Sequence, residues 1–451
     1  MTGPVPAGRQ PSEARQPSDG WQPLDGQVPL DGLRVVELAG IGPAPFAAML
    51  LADLGADVVR VDRIGPGSPL SGDPRLDLLN RGKRSIAVDL KHPAGAEVVL
   101  ALAARADVLV EGWRPGVAER LGVGPAAAHA RNPKLVYGRL PGWGQDGPLA
   151  RSAGHDLTYI ALAGVLHPIG RAGGPPQIPL NLLGDFAAGS LYLVVGVLAA
   201  LREAARSGRG QVVDAAIVDG AAHLTTMLSG LIAAGRWTDV RGTNLLDGGA
   251  PFYDVYETSD GGHVAVGALE PQFYAEFVHL LGVAGPGPDP DGAPGVGAEL
   301  PGQYDVARWP ELRHRFAAAF ASRTRREWTA VFAGTDACVA PVLSLTEAPH
   351  DPHLLARGTF TRRGGIVQPS PAPRFSAASP AGGPPVPAGP PTPGSAASDG
   401  GGIPPVPGQH TRAVLADWGV DGGDGWLSTG AVADRADPAA ASTTAAPDQY
   451  Q

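Results

Sequence analysis

The sequence predicts an α/β protein with a large parallel-sheet domain and a smaller α+β domain. Up to about residue 220, short apolar strands alternate with helical segments, which is typical of a parallel sheet built from βαβ units. From about residue 225, the alternating pattern of GGAPFYDVYETSDGGHVAVGAL surrounds a turn, which predicts an antiparallel hairpin. The chain has 451 residues, of which 43% are hydrophobic, so it is long enough to build two cores.

The large domain is expected over residues 29–224, beginning at LDGLRVVELAG. Residues 33–38 are apolar and β-branched and are followed by a glycine, which predicts a strand. Residues 43–54 carry apolar side chains at helical spacing, and GADVVRVDR predicts a second strand after them. RSIAVDL, ADVLVEGW and PKLVYGRL predict three further strands, with a helix over residues 92–105 between the first two.

The small domain is expected over residues 225–350. It begins with the hairpin, whose turn is SDGG, and continues with helical patterns over residues 271–281 and 309–332. Residues 285–302 are rich in proline and glycine and predict a surface loop.

Low-complexity segments are expected at both ends of the chain. Residues 1–28 are polar, and residues 376–409 and 430–451 are rich in small or polar residues, which predicts disorder. Residues 351–375 and about 411–420 are expected to return to the large domain.

Composition argues against several classes of partner. The net charge is −9, so no basic footprint for nucleic acid or anionic membranes is present. The longest apolar run, residues 186–201, is shorter than the roughly 20 residues of a membrane span. No signal-peptide pattern is seen, and we expect a cytoplasmic protein without a membrane partner. The single cysteine, Cys338, allows no internal disulfide or CxxC metal site and is expected to be a buried structural thiol.

Several arginines follow strands of the predicted parallel sheet. Arg60 and Arg63 flank Asp62 at the end of the second strand, and Arg114 lies in EGWRPG after another strand. The first βα turn, GIGPAPF, lacks the third glycine of a dinucleotide fingerprint, so an NAD site is only weakly indicated. Each arginine alone is typical of a solvated surface, but together they would bind phosphates of a nucleotide-like ligand.

Two aspartates and a histidine stand where apolar helices are expected to begin. His155 and Asp156 precede one apolar run, and Asp185 precedes a longer one. Helix N-capping explains the aspartates, and a histidine beside an apolar run is commonly a core residue. The functional interpretation is acid/base chemistry, with a histidine and a carboxylate acting on one carbon from opposite sides. N–H groups at a helix start would hold a developing oxyanion. The residues alone leave both interpretations open.

Longer motifs over residues 30–375 resemble the family III CoA-transferase superfamily of the CaiB/BaiF type, and within it the α-methylacyl-CoA racemase branch. They occur in the same order as in that family and are LDGLRVVELAGIGPAPFAAMLLADLGADVVRVDR, RSIAVDLK, EGWRPGVAERLG, GWGQDGPLARSAGHDLTYIALAG, PLNLLGDFAAGS and GRGQVVDAAIVDG.

This resemblance implies a Rossmann-like large domain, a small domain and a homodimer whose two chains interlock. It implies that CoA lies across the large domain, as part of the substrate, with no metal and no nicotinamide cofactor. The positions that match CoA-contacting residues are Arg63, Val88, Leu90, Arg114 and Arg120, and the contact at position 88 is expected through the backbone.

The resemblance also assigns catalytic roles. His155 of GHD and Asp185 of NLLGDF match the two acid/bases of the racemases, which remove and return the α-proton of a 2-methylacyl-CoA thioester. Glu270 of ALEPQFY matches the glutamate that partners the histidine from the other subunit, whereas Glu257 is read as hairpin surface. Asp156 matches the residue whose backbone N–H holds the thioester oxygen.

Two other functions remain open. In transferases of this superfamily the aspartate at position 156 is a nucleophile, which would carry CoA between carboxylic acids. The histidine before it, together with Asp185 and Glu270, favours the racemase. A non-catalytic CoA-binding protein is the other alternative, and the retained acid/base residues argue against it.

Overall fold

The computed structural model describes residues 28–65, 72–283, 300–375 and 403–435. The predictions for the N-terminal lead, for most of the loop over 285–302 and for most of the low-complexity segments therefore lie outside the described residues.

Twelve strands are present in the described part of the chain. They are β1 (Arg34–Leu38), β2 (Asp57–Asp62), β3 (Arg84–Val88), β4 (Val108–Glu111), β5 (Val136–Arg139), β6 (Val212–Asp214), β7 (Tyr253–Glu257), β8 (His263–Gly267), β9 (Val339–Pro341), β10 (Phe360–Arg363), β11 (Ile366–Pro369) and β12 (Val432–Ala433).

The described residues also form fourteen α-helices. They are α1 (Pro43–Asp53), α2 (Gly95–Ala103), α3 (Val117–Arg120), α4 (Pro125–Arg131), α5 (Asp156–Leu162), α6 (Leu191–Ser207), α7 (Ile217–Leu224), α8 (Thr226–Ala233), α9 (Pro271–Leu281), α10 (Trp309–Phe320), α11 (Arg325–Phe332), α12 (Pro352–Ala356), α13 (Thr411–Asp417) and α14 (Gly423–Thr429). A π-helical segment, Leu182–Ser190, leads directly into α6, and short 3₁₀ turns lie at Pro74–Leu76, Leu78–Asn80, Val306–Arg308 and Ala348–His350.

The large domain is built on a seven-stranded sheet with the order β12-β3-β2-β1-β4-β5-β6. Strands β1 to β6 are parallel, and β12 is antiparallel to β3 at the edge. The chain order therefore reverses between β1 and β4, and this switch point is where ligands of open α/β sheets bind. The predicted fold class, a large parallel-sheet domain with a smaller α+β domain, is confirmed.

Helices cover both faces of the sheet, so its central strands are mostly apolar, with Glu37, Arg60 and Glu111 as buried charged exceptions. On one face, Ala47 of α1 and Leu193 of α6 pack against the sheet. On the other face, Leu102 of α2 and Val414 of α13 belong to a second apolar cluster. Because strands buried on both faces read as short apolar runs bounded by turns, they were recognisable in the sequence.

The small domain has an aromatic core between a sheet of order β7-β8-β9 and helices α9 to α11. Phe252, Phe277 and Phe316 are completely buried there. The single helix predicted over 309–332 is wrong, because the chain breaks into α10 and α11. Thr324 starts α11 with a capping box: its N–H donates to Glu327 Oε2 at 2.8 Å and its hydroxyl accepts from the Glu327 N–H at 3.2 Å.

The C-terminal part of the chain is more ordered than predicted. Residues 403–409 and 430–435 lie within segments expected to be disordered, yet they pack on the large sheet. The Gly408 N–H donates to Ser85 Oγ at 2.9 Å, and β12 pairs with the end of β3. These backbone partners are distant in sequence, so composition could not show them. The predicted domain limits, 29–224 and 225–350, stay a prediction.

Cys338 is exposed, so the prediction of a buried thiol is wrong. Its backbone has a φ of 55°, in the left-handed region, at the start of the edge strand β9. The neighbouring Ala337 fills the apolar core in its place.

The π-helical segment and α6 form one continuous helix, Leu182–Ser207, of 26 residues, which contains a long apolar window. By length and composition alone this stretch is sufficient to span a membrane, so the shorter sequence estimate is corrected. One face of α6 packs on the sheet through Leu193, Val194 and Val197, whereas Leu191, Val195 and Leu198 are exposed. The absence of a membrane partner stays a prediction.

Candidate active site

A cavity of about 750 Å³ lies at the switch point of the large sheet. Its walls come from the β1–α1 turn, the ends of β2, β4 and β5, the start of α5 and the π-helical segment. Residues far apart in the chain meet here because the carboxyl ends of parallel strands share one edge of the sheet.

His155 lines this cavity immediately before α5. Its N–H donates to Thr158 Oγ1 at 3.0 Å, and the Thr158 hydroxyl donates back to the His155 carbonyl at 2.7 Å. These bonds occupy the backbone of His155 and leave its exposed imidazole facing the cavity. Capping and acid/base chemistry are therefore compatible at this position, because the first uses the main chain and the second the ring.

Asp156 does not line the cavity, and the residue is only 4% exposed. Its Oδ2 accepts the Asp185 N–H at 2.6 Å, and a side chain at Gly184 would lie 2.6 Å from the same oxygen. Burial raises the pKa of Asp156, opposed by N–H donors of the π-helical segment. The carboxylate thus joins the start of α5 to the residue that carries the other candidate base.

Asp185 lies in the π-helical segment and also lines the cavity. Burial, aided by the charge of Asp156, raises its pKa to about 6, while Asn181 and His155 act to lower it. Asn181 Nδ2 donates to Asp185 Oδ2 at 3.4 Å, and a Cβ at Gly42 would lie 3.4 Å from that oxygen. A carboxylate with this pKa exchanges its proton readily near neutral pH.

Aromatic residues give the cavity an apolar wall. Phe186 stacks on Phe46 with ring centroids 4.5 Å apart, and Tyr159 meets Trp143 edge to face at 4.7 Å. The Tyr159 ring fills the space beside Gly142, where an added Cβ would lie 2.0 Å from Cζ. Phe186, Tyr159 and Trp143 were not identified as site residues from the sequence, because an aromatic in an apolar run is equally typical of a core.

The predicted CoA-contacting residues are divided between the cavity and its surroundings. Arg63 and Arg114 line the cavity and are exposed. Val88, Leu90 and Arg120 do not line it. Val88 is buried and pairs with Val432 of β12. Leu90 packs against the apolar cluster that contains Leu102 of α2. Val88 ends β3 and Leu90 follows it, whereas Arg63 follows β2, and Arg114 and Arg120 follow β4. Their role in binding CoA stays a prediction.

Asp62 is not presented as an acceptor for a ribose. Its Oδ2 accepts from Ser85 Oγ at 2.6 Å, and its Oδ1 lies 3.1 Å from the Arg60 guanidinium. Asp62 therefore does not support an NAD site at the GIGPAPF turn. Among the described residues, no group of three or more His, Cys, Asp and Glu side chains has a metal-binding arrangement.

Glu270 lies outside the cavity of its own chain. It is exposed at the start of α9 in the small domain. Glu257, on β7, is also exposed and also outside the cavity. The structure thus brings His155 and Asp185 together and leaves Glu270 apart within one chain.

The chain matches the CoA-transferase family III over residues 30–396. It is 46% identical to a protein of Mus musculus named alpha-methylacyl-CoA racemase, over 86% of this chain and 92% of that protein. The Homo sapiens protein of the same name is 48% identical, over 76% of this chain and 85% of that protein. A solved CaiB/BaiF family protein from Brucella suis has a TM-score of 0.67 at 25% identity, covering 87% of this chain and 99% of that one.

Proposed function

Because the chain belongs to CoA-transferase family III, we propose that it interconverts the (2R) and (2S) epimers of 2-methylacyl-CoA thioesters. The observation that carries the proposal is that His155 and Asp185 line one cavity, in a chain 46–48% identical to proteins named for this reaction. The reaction is an isomerisation, and CoA is part of the substrate.

The chemistry needs two groups that act on one carbon. One group takes the α-proton, and the electron pair of the broken C–H bond moves onto the thioester to form an enolate. The other group, protonated beforehand, returns a proton to the opposite face. Asp185 suits these roles because its pKa of about 6 lets it take up and release a proton near neutral pH, and His155 supplies an imidazole, the side chain most often used for general acid/base catalysis.

The enolate oxygen requires donors that are already in place. The first N–H groups of α5 have no acceptor within the helix, and the Asp156 N–H is the first of them. The Asp156 side chain keeps this helix start against Asp185. We therefore assign the backbone of Asp156 to the thioester oxygen and its carboxylate to positioning.

CoA is proposed to extend from this cavity along the carboxyl edge of the sheet. Arg63 and Arg114 would meet its phosphates, since guanidinium groups bind phosphate through paired hydrogen bonds. Val88, Leu90 and Arg120 would accompany the nucleotide beyond the cavity.

We further propose a homodimer in which Glu270 reaches the His155 of the partner chain. Glu270 is exposed and outside its own cavity, so a second chain is the source that would complete the site. Exposed apolar residues of the π-helical segment and α6 provide a surface for such a partner, namely Leu182, Leu191, Val195 and Leu198. A cytoplasmic location without metal or nicotinamide is part of the same proposal.

The transferase alternative requires Asp156 to attack an acyl group. In this structure its carboxylate is buried and accepts the Asp185 N–H, and it is outside the cavity lining. The attack would require that side chain to leave its present partner, whereas proton transfer by His155 and Asp185 requires no such change.

The test is α-hydrogen exchange in deuterated water, starting from one epimer of a 2-methylacyl-CoA. We expect one deuterium at the α-carbon together with drift to both epimers, followed by NMR and mass spectrometry. Asp156→Asn should stay active, because an amide oxygen still accepts the Asp185 N–H. A transferase would instead show no exchange, would pass CoA to an added free acid, and would lose that transfer in Asp156→Asn.

The activity should fall below about pH 6, where Asp185 takes up a second proton on the acid/base pair and neither group can accept the α-proton. The active form carries one proton shared between the two bases, and both directions use that same form. Because the epimerisation equilibrium does not depend on pH, kcat/KM should have the same acidic limb in both directions.

Variants near Asp185 should move this limb in opposite directions. Asn181→Ala removes a donor that lowers the pKa of Asp185, so the limb should shift to higher pH. Asp156→Asn removes a like charge, so it should shift to lower pH. The control is Gln177→Ala, an exposed amide outside the cavity. An acidic limb that neither variant moves would argue against Asp185 as the titrating group.

A further inference from the structure

The loop that presents Arg114 to the cavity is held at both of its sides. This loop, residues 112–116, connects β4 to α3. The Trp113 N–H donates to Glu111 Oε2 at 2.6 Å, and the Trp113 indole N–H donates to the Ala39 carbonyl at 3.1 Å. The loop is therefore tied to the ends of β4 and β1, on the two sides of the switch point.

Glu111 is in turn held by an arginine on the neighbouring strand. Arg139 Nε donates to Glu111 Oε1 at 3.0 Å, and the two residues are register partners of β4 and β5. Arg139 also reaches Glu119 on α3, with Arg139 Nη1 and Glu119 Oε1 3.0 Å apart. One guanidinium thus joins the residue before the loop to the helix after it.

Of the three charged residues, Glu111 and Arg139 are buried and Glu119 is exposed to solvent. Glu111 is 1% exposed and Arg139 is 7% exposed, whereas the Glu119 side chain is 46% exposed. A charge so deeply buried needs its partners, because it has lost the hydration that stabilises it in water. Burial acts to lower the pKa of Arg139, but the charges of Glu111 and Glu119 raise it overall.

We propose that Glu111, Arg139 and Glu119 are positioning residues that hold the 112–116 loop so that Arg114 can pair with the phosphates of CoA. None of the three lines the cavity. The inference rests on the proposed function for its substrate, and it adds a specific structural support for the nucleotide end of that substrate.

The first test is Glu119→Gln, with Glu97→Gln as the matched control. Each glutamate has a side chain 46% exposed and pairs with one arginine, Arg139 or Arg131. Glu119→Gln should raise the KM for 2-methylacyl-CoA roughly five-fold and leave kcat unchanged, since a half-exposed ion pair contributes modestly. Glu97→Gln should change neither constant.

A substrate without the nucleotide separates positioning from general structural damage. On the thioester of pantetheine, which lacks the nucleotide phosphates, Glu119→Gln and the unaltered protein should have equal kcat/KM. Equal losses on both thioesters, or the same KM rise in Glu97→Gln, would overturn the proposal.

Calorimetry with free CoA measures the effect of the same variant on binding, without turnover. The Kd for CoA should rise in Glu119→Gln by the same factor as KM, and unchanged CoA affinity would overturn the proposal. If no epimerisation is found, the CoA affinity still tests whether Glu111, Arg139 and Glu119 position the loop. Failure of this inference and failure of the proposed function are therefore distinguishable. Glu111→Gln, which keeps an acceptor for the Trp113 N–H, should have a larger effect on Kd, measured after confirming that it is folded by circular dichroism.

Discussion

Asp185→Asn should lose epimerisation by a factor of roughly 10³ while one epimer still exchanges its α-hydrogen. In this variant His155 can still remove the proton that faces it and return a deuteron to the same face, so exchange proceeds without inversion. His155→Ala should show the mirror-image result, with exchange confined to the other epimer through Asp185. The measurement is deuterium content and configuration, followed separately for each epimer.

The controls for this pair come from a second histidine–aspartate pair on the surface. His167 Nε2 lies 3.4 Å from Asp239 Oδ1, with both side chains largely exposed. His167→Ala and Asp239→Asn make the same chemical changes outside the cavity and should leave both exchange and epimerisation intact. Exchange of both epimers by either single cavity variant would contradict a mechanism with one base on each face.

Co-expression of His155→Ala with Glu270→Gln should restore activity that neither variant has alone. Each variant by itself should be impaired roughly 10²- to 10⁴-fold, as expected when an acid/base group or its orienting carboxylate is lost. If Glu270 acts on the partner chain, a hybrid dimer has one site with both changes and one site with neither. Random pairing would then yield about one quarter of the unaltered activity.

A second pair of variants makes this result specific. His155 and Asp185 line the cavity of one chain, so a hybrid of His155→Ala and Asp185→Asn has one damaged residue in each site. That co-expression should recover nothing. Absence of recovery with Glu270→Gln as well would mean that Glu270 does not complete the partner's site.

The first βαβ unit shows how much local pattern can predict. The strand expected over 33–38 and the helix over 43–54 agree closely with Arg34–Leu38 and Pro43–Asp53. Such elements are readable because short apolar strands and a helical apolar stripe are bounded by glycine and proline. The helix expected over 309–332 was wrong because the capping box at Thr324 starts a new helix within a continuous helical pattern.

The C-terminal segment shows where composition misleads. Composition predicted disorder over residues 403–409 and 430–435, yet both stretches pack on the large sheet and the second includes β12. The energy that orders this segment comes from partners such as Ser85, more than 300 residues earlier in the chain. No local pattern contains that information.

By itself, the sequence determined the parallel-sheet fold, the membership of CoA-transferase family III and the identity of the candidate acid/base residues, because each is written in contiguous motifs. Only the tertiary structure decided how those residues are placed within one chain. It places His155 and Asp185 on one cavity, turns the Asp156 carboxylate away to the Asp185 N–H, and leaves Glu270 outside. The pKa of about 6 for Asp185 was equally hidden, since it arises from burial and from the neighbouring charge of Asp156, and both depend on chain segments that meet only in the fold.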